Sequence, residues 1–231
     1  KNGKLYGYNT DFSGLHALLV RQRADLKGGK VLILGSGGTS KTAAAVAEDL
    51  GAKEIYRVSR SGSDGAITYN DAYKMHGDTT AIINTTPCGM YPNIGASAID
   101  LSRFENVKSV TDAVYNPLSS ALVISARERG INATGGLYML VSQAAYAVEK
   151  FTGGSISADK TEEVYREILR DKKNIVLIGM PGCGKTTIGK ISADRLHKEF
   201  IDTDDEIIKR INMPIADYFA KYGEESFRKL E

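Results

Sequence analysis

Lys30-Val31-Leu32-Ile33-Leu34-Gly35-Ser36-Gly37-Gly38-Thr39-Ser40 decides the fold of most of this chain. The apolar run reads as a strand buried on both faces, and the glycines after it as a tight turn into a helix. An alanine-rich helix is expected from Lys41 to Leu50. A second strand, Glu54-Ile55-Tyr56-Arg57-Val58, follows and ends in Ser59-Arg60-Ser61. Strand, glycine turn, helix, strand is one half of a dinucleotide-binding fold. The turn fits GxGxxG with Ser40 at the third glycine, where a small residue suffices because helix and strand pack closely there. Gly35, Ser36, Gly37, Gly38 and Thr39 are the expected pyrophosphate cradle, with backbone N–H groups at a helix N-terminus as donors. A purely structural turn is the competing reading.

The end of the second strand selects the cofactor. An NAD site places an acidic residue there for the ribose 2′-hydroxyl. Ser59, Arg60 and Ser61 offer hydroxyls and a guanidinium instead, which suit a 2′-phosphate, so NADP is expected.

Outward from this core, strands are expected at Thr80–Asn84, Val107–Ala113 and Gly130–Thr134, and helices at Phe12–Arg23, Leu118–Glu128 and Leu137–Phe151. Strands alternating with helices predict a Rossmann-like, doubly wound parallel sheet of the α/β class. Thr152-Gly153-Gly154-Ser155 is a break, and the charged stretch Asp159–Lys173 reads as a solvated connecting helix.

A second phosphate motif lies near the end. Gly179-Met180-Pro181-Gly182-Cys183-Gly184-Lys185-Thr186 is GxxxxGK[ST], after the apolar run Asn174–Ile178, expected to be a buried parallel strand, and before a helix from Thr187 to Leu196. Its glycines let backbone N–H groups curl around phosphates. Lys185 neutralises the outer phosphates and Thr186 ligates Mg²⁺, so ATP and Mg²⁺ are expected. The stretch after Lys185 is too short for the remaining strands of such an enzyme, so it reads as an incomplete P-loop α/β segment.

Composition agrees with a globular protein. At 231 residues, 42% hydrophobic and 25% charged, the chain can build between one and two domains. A net charge of +2 without a basic run gives no support to nucleic-acid binding. No apolar stretch reaches membrane-spanning length. The opening Lys1-Asn2-Gly3-Lys4 lacks a signal-peptide core and an initiating methionine, so an upstream segment is expected. Cys88 and Cys183 lack metal-ligand spacing and suit thiols in the cytoplasm. His16, His76 and His197 fall in no motif. The oligomeric state stays open.

Six ordered segments over residues 1 to about 154 resemble the shikimate dehydrogenase family. They are Gly7-Tyr8-Asn9-Thr10-Asp11-Phe12-Ser13-Gly14 (GxNTDxxG), the Gly35–Lys41 loop, Ser59-Arg60-Ser61, Asn84-Thr85-Thr86-Pro87-Cys88-Gly89-Met90 (NxTPxGM), Asp112-Ala113-Val114-Tyr115-Asn116-Pro117 (DxxYNP), and Gly135-Gly136-Leu137 with Met139-Leu140 and Gln143-Ala144. Ser40, Ser59 and Ser61 stand where the family usually has alanine, asparagine and threonine. The resemblance implies NADPH-dependent reduction of 3-dehydroshikimate to shikimate, with Asp11 in the catalytic pair and Asn9, Thr10, Tyr115 and Gln143 at the substrate. It places Asn84, Thr85, Gly136 and Met139 with the cofactor loop. Taken alone, Asp11 would read as a helix cap. The family's partner lysine belongs to an upstream domain, and Lys1, Lys4 and Lys41 do not match its context. The chain as given is therefore expected to hold NADP without turnover.

Residues 174–231 resemble the start of a shikimate kinase. Phe200-Ile201-Asp202-Thr203-Asp204 is similar to the family's DxD element, and Gly223-Glu224-Glu225-Ser226-Phe227-Arg228-Lys229-Leu230-Glu231 to its GExxFRxxE element. By resemblance, Gly179, Gly182, Gly184, Lys185, Thr186 and Thr187 bind ATP, and Thr186 and Asp202 hold Mg²⁺. Asp204 and Arg228 then bind shikimate. The resulting division is 1–154 for an NADP domain, 155–173 for a charged linker helix and 174–231 for a truncated kinase domain. An NAD-linked quinate/shikimate dehydrogenase and a non-catalytic nucleotide-binding module are the alternatives.

Overall fold

The computed structural model describes residues 5–180 and 182–230; Lys1, Lys4, Pro181 and Glu231 lie outside the described residues. The chain divides into two compact units, with the boundary between Lys173 and Asn174.

In the first unit the order is α1 (Thr10–Gln22), β1 (Lys30–Leu34), α2 (Gly38–Asp49), β2 (Glu54–Ser59), β3 (Ile67–Thr68), α3 (Tyr69–Met75), β4 (Ala81–Asn84), β5 (Ser109–Asp112), α4 (Ala121–Glu128), β6 (Asn132–Thr134), α5 (Leu137–Thr152) and α6 (Ala158–Lys172). Six strands form one sheet in the order β3-β2-β1-β4-β5-β6, every pairing parallel. This is the doubly wound order, and the reversal between β1 and β4 opens a crevice above their C-terminal ends.

The all-apolar β1 follows from burial on both faces. Val31 and Ile33 pack in one layer with Leu15, Leu18 and Leu19 of α1, Val46 of α2 and Met139 of α5. Leu32 and Leu34 pack in the other with Val58, Ile82, Val110 and Leu122. Alternate residues of one strand thus build two cores. The short edge strand β3 and helix α3 carry no strong apolar period. Helix α3 is fixed instead by a capping box, in which Thr68 and Asp71 each satisfy the other's backbone N–H.

Helix α6, read from its charge as a solvated connector, packs into the first unit. Tyr165 meets Tyr138 of α5 edge-on at 5.2 Å. The Arg21 guanidinium lies 4.7 Å from one ring and 4.4 Å from the other, and gives Glu162 two hydrogen bonds of 2.8 and 3.0 Å. Charge counts missed this because the helix docks through one half-buried stripe, leaving its remaining charges in water. Donation from Arg21 holds the Glu162 carboxyl below its ordinary 4.5. A depressed folded value stabilises fully above 4.5 and is lost as pH falls through it. The melting temperature is expected to fall below about pH 5 more steeply in the wild type than in Glu162→Gln, measured by thermal melts from neutral to acid pH.

The second unit contains α7 (Lys185–Leu196), α8 (Thr203–Ile211) and α9 (Ile215–Leu230), the last kinked at Gly223. Asn174–Ile178 is not the buried strand expected. It forms no strand and is exposed, with Val176 at 79% and Ile178 at 90%. A strand needs neighbours for its backbone N–H and C=O groups, and the described residues of this unit contain no sheet. Among the described residues, no helix is long and apolar enough to cross a membrane.

Candidate active site

Helix α1 begins at Thr10, and its N-cap is Asn9, whose side chain accepts from the Asp11 N–H at 2.9 Å. Asp11 is therefore free of the capping role its position suggested. Its Oδ1 accepts from Gln143 Nε2 on α5 at 2.8 Å. The two helices come this close because of Gly14. A Cβ there would lie 2.5 Å from Gln143 Cγ and 2.8 Å from the Met139 carbonyl oxygen.

Asp11 and Gln143 border a cleft of about 170 Å³ together with Thr39, Ala113, Tyr115, Gly136, Met139 and Leu140. The glycine turn, the end of β5 and the start of α5 thus converge at the crevice. Gly136 supports this wall: a Cβ on it would overlap the Ala113 carbonyl oxygen and lie 2.6 Å from the carbonyl carbon. Gly37 and Gly38 behave oppositely. A Cβ on either would meet nothing of the protein within 4 Å. Packing does not require glycine there, so the free space at this helix start fits the approach of a pyrophosphate. Ser40 is fully buried and donates its hydroxyl to the Gly37 carbonyl at 2.7 Å, the close packing asked of the third motif position.

At the end of β2, Ser59 is buried and its Oγ accepts from Gly62 N–H at 3.0 Å, while Ser61 and Ser63 hydroxyls sit 2.8 Å apart. Arg60 is exposed, with no hydrogen bond or ion pair among the described residues. A cation beside two hydroxyl-bearing turns is the donor set a 2′-phosphate needs.

Behind the cleft lies a polar network centred on Asp112, which the DxxYNP motif contains without a role assigned to it. Asp112 is fully buried. Its Oδ1 accepts from Asn84 Nδ2 at 2.9 Å and Val114 N–H at 3.0 Å, and its Oδ2 from Ser120 Oγ at 2.5 Å. Asn84 Oδ1 accepts in turn from the N–H and hydroxyl of Thr86. Burial pushes the Asp112 carboxyl above its usual range, against the pull of these donors. The Asn84 side chain, expected at the cofactor, is spent inside this network. Thr85 gives its hydroxyl to the Leu34 carbonyl at 2.6 Å. The sequence signal was a polar residue closing each of two fully buried strands, Asn84 after the apolar Ala81-Ile82-Ile83 of β4 and Asp112 at the end of the mixed Ser109-Val110-Thr111 run of β5.

Comparison with known proteins matches these features. Shikimate dehydrogenase (NADP(+)) of Clostridium perfringens is 35% identical over 178 residues, covering 73% of this chain and 65% of that protein. The enzyme of the same name from a Geobacillus species is 32% identical, covering 74% of this chain and 67% of that protein. This chain belongs to the shikimate dehydrogenase family. A crystal structure of a chorismate mutase/shikimate 5-dehydrogenase fusion protein from Clostridium acetobutylicum agrees with a TM-score of 0.68 at 34% identity, over 73% of this chain and 64% of that one. The chain spans about 65% of the length of the first dehydrogenase relatives it matches.

Beyond the dehydrogenase-like unit, a family model for shikimate kinase matches residues 181–231. Gly182 and Gly184 take left-handed backbone at φ 76° and 85°, which turns the loop into α7. Lys185 reaches back over its own loop to the carbonyls of Gly179 and Met180 at 2.7 and 2.8 Å. Thr186, beside Thr187 in the first turn of α7, donates to Asp202 at 3.2 Å. Asp202 caps α8 as well, accepting from Asp204 N–H at 3.1 Å, so capping and pairing with Thr186 coexist. Arg228 pairs with Glu224 at 3.2 Å.

Proposed function

We propose that the first unit works as the NADP-binding part of a shikimate dehydrogenase, interconverting 3-dehydroshikimate and shikimate. The second belongs to an ATP-dependent shikimate kinase. A cytoplasmic setting goes with this reading, since that compartment keeps Cys88 and Cys183 as thiols. The observation that carries it is the Asp11–Gln143 pair, joined at 2.8 Å and bordering the same cleft as Thr39 of the glycine turn.

Asp11 would hold the substrate oxygen that gains or loses a proton, the step a carbonyl-to-hydroxyl conversion requires. Gln143 fixes the Asp11 rotamer and, with Tyr115, Asn9 and Thr10, meets the substrate hydroxyls. The residues present fit NADP: Gly35 to Thr39 would take the pyrophosphate, Ser59, Arg60 and Ser61 the 2′-phosphate, and Gly136 and Met139 the nicotinamide side of the cleft, with Thr85 beside them. Bound there, the cofactor would donate a hydride as NADPH when 3-dehydroshikimate is reduced and accept one as NADP⁺ when shikimate is oxidised. The closeness of Thr186 and Asp202 likewise fits Mg²⁺, with Gly179 to Thr187 around the phosphates of ATP and with Asp204 and Arg228 for shikimate.

Titration of NADP⁺ and NAD⁺ into the protein tests the cofactor assignment. Arg60→Ala is expected to weaken NADP⁺ by about tenfold to a hundredfold and leave NAD⁺ unchanged, as loss of one charge-assisted contact requires. Equal affinity for both cofactors in the wild type would overturn it.

A further inference from the structure

We infer that Asp112 is a positioning residue that ties together the two loops at the back of the cleft, residues 85–90 after β4 and 113–120 after β5. This deepens the dehydrogenase reading and rests on it for its functional consequence. Asp112 sits between the loops and, among the described residues, accepts from Asn84 on one side and from Val114 N–H and the Ser120 hydroxyl on the other. Through Asn84 the connection reaches Thr86, and through the Thr86 hydroxyl the Cys88 N–H at 3.3 Å. Ser120 also caps α4, accepting from Val123 N–H at 3.4 Å. The cluster runs unbroken from Cys88 to the start of α4.

A carboxylate with 0% exposure and, among the described residues, no cation bonded to it is an expensive way to fill space. What a carboxylate does and an apolar residue cannot is accept three hydrogen bonds from two directions at fixed spacing. Ala113 and Tyr115, the neighbours of this anchor, border the cleft, and Gly136 abuts the Ala113 carbonyl. Letting the two loops move apart therefore moves the cleft wall.

Amide hydrogen exchange with Asp112→Ala, Asp112→Asn and Ser120→Ala tests this, with NADP⁺ affinity read on the same samples well below each melting temperature. Asp112→Ala and Ser120→Ala are expected to speed exchange at Thr86, Cys88 and Val114 together by about tenfold, with NADP⁺ weakened to a similar degree. Asp112→Asn keeps the shape and can pair with Ser120 in reverse, so it should restore both readings to within about threefold of wild type. Ser120→Ala alone decides the matter if Asp112→Ala fails to fold. Faster exchange at Val114 only, or a lower melting temperature with unchanged NADP⁺ affinity, would overturn the inference. Coupled loosening in a wild type that itself binds no NADP⁺ upholds the tie between loops and removes the dehydrogenase reading instead.

Discussion

Gly136→Ala is expected to cost about 3 kcal/mol and to lower the melting temperature by roughly 6–12 °C, the largest stability change of any single methyl group at this site. The size follows from what the methyl would meet. Its neighbours are the carbonyl oxygen, carbonyl carbon and Cα of Ala113, all backbone, immediately after the end of β5. A side chain could rotate away, but backbone directly after β5, held by the Ala113 N–H bond to the Asn84 carbonyl at 2.9 Å, cannot. The wall of the cleft must shift with it, so NADP⁺ affinity should fall too. Gly38→Ala is the control. Its methyl enters open space at the first position of α2, where alanine suits a helix, so stability should stay within about 0.5 kcal/mol. NADP⁺ should nevertheless bind about tenfold or more weakly, because the methyl occupies the room a pyrophosphate needs. Differential scanning calorimetry with a paired NADP⁺ titration reads both effects. Unchanged NADP⁺ binding in Gly38→Ala would remove the pyrophosphate from this turn.

Asp11→Asn is expected to lower kcat by about 10²- to 10⁴-fold, the range a lost acid–base group gives, in the native polypeptide that carries this sequence. The asparagine keeps the shape and an oxygen for Gln143. Folding loses only a favourable charge in the first turn of α1, worth about 0.3–1 kcal/mol. Activity should thus fall while the melting temperature scarcely moves. Steady-state kinetics beside a thermal melt separates the two, and a kcat within a few-fold of wild type would return Asp11 to a structural role.

Much of the fold was legible because β1 and the turn after it have few alternative readings. An apolar strand, a glycine turn and an alanine-rich helix agree on one answer, a doubly wound parallel sheet, to which the structure adds the order β3-β2-β1-β4-β5-β6. The edge strand β3 was not legible, since two residues carry no period. Asn174–Ile178 misled for the opposite reason: its sequence suits a strand, but strandedness lies in partners that the described second unit does not contain. At the site, Asp11 and Gln143 stood out as polar residues in quoted motifs, yet their pairing depends on Gly14 letting α1 and α5 meet. Asn84 and Asp112 show the limit more sharply. Both close buried strands, and nothing in either local sequence says that the two side chains bond each other across neighbouring strands.

The most direct test of the account is shikimate-dependent reduction of NADP⁺ by the native polypeptide containing this sequence, followed as NADPH formation with quinate and NAD⁺ as comparisons. NADPH formation that requires shikimate and is lost in Asp11→Asn is the result expected. NADP⁺ binding without any reduction in the presence of shikimate would contradict the account and leave a nucleotide-binding module in its place.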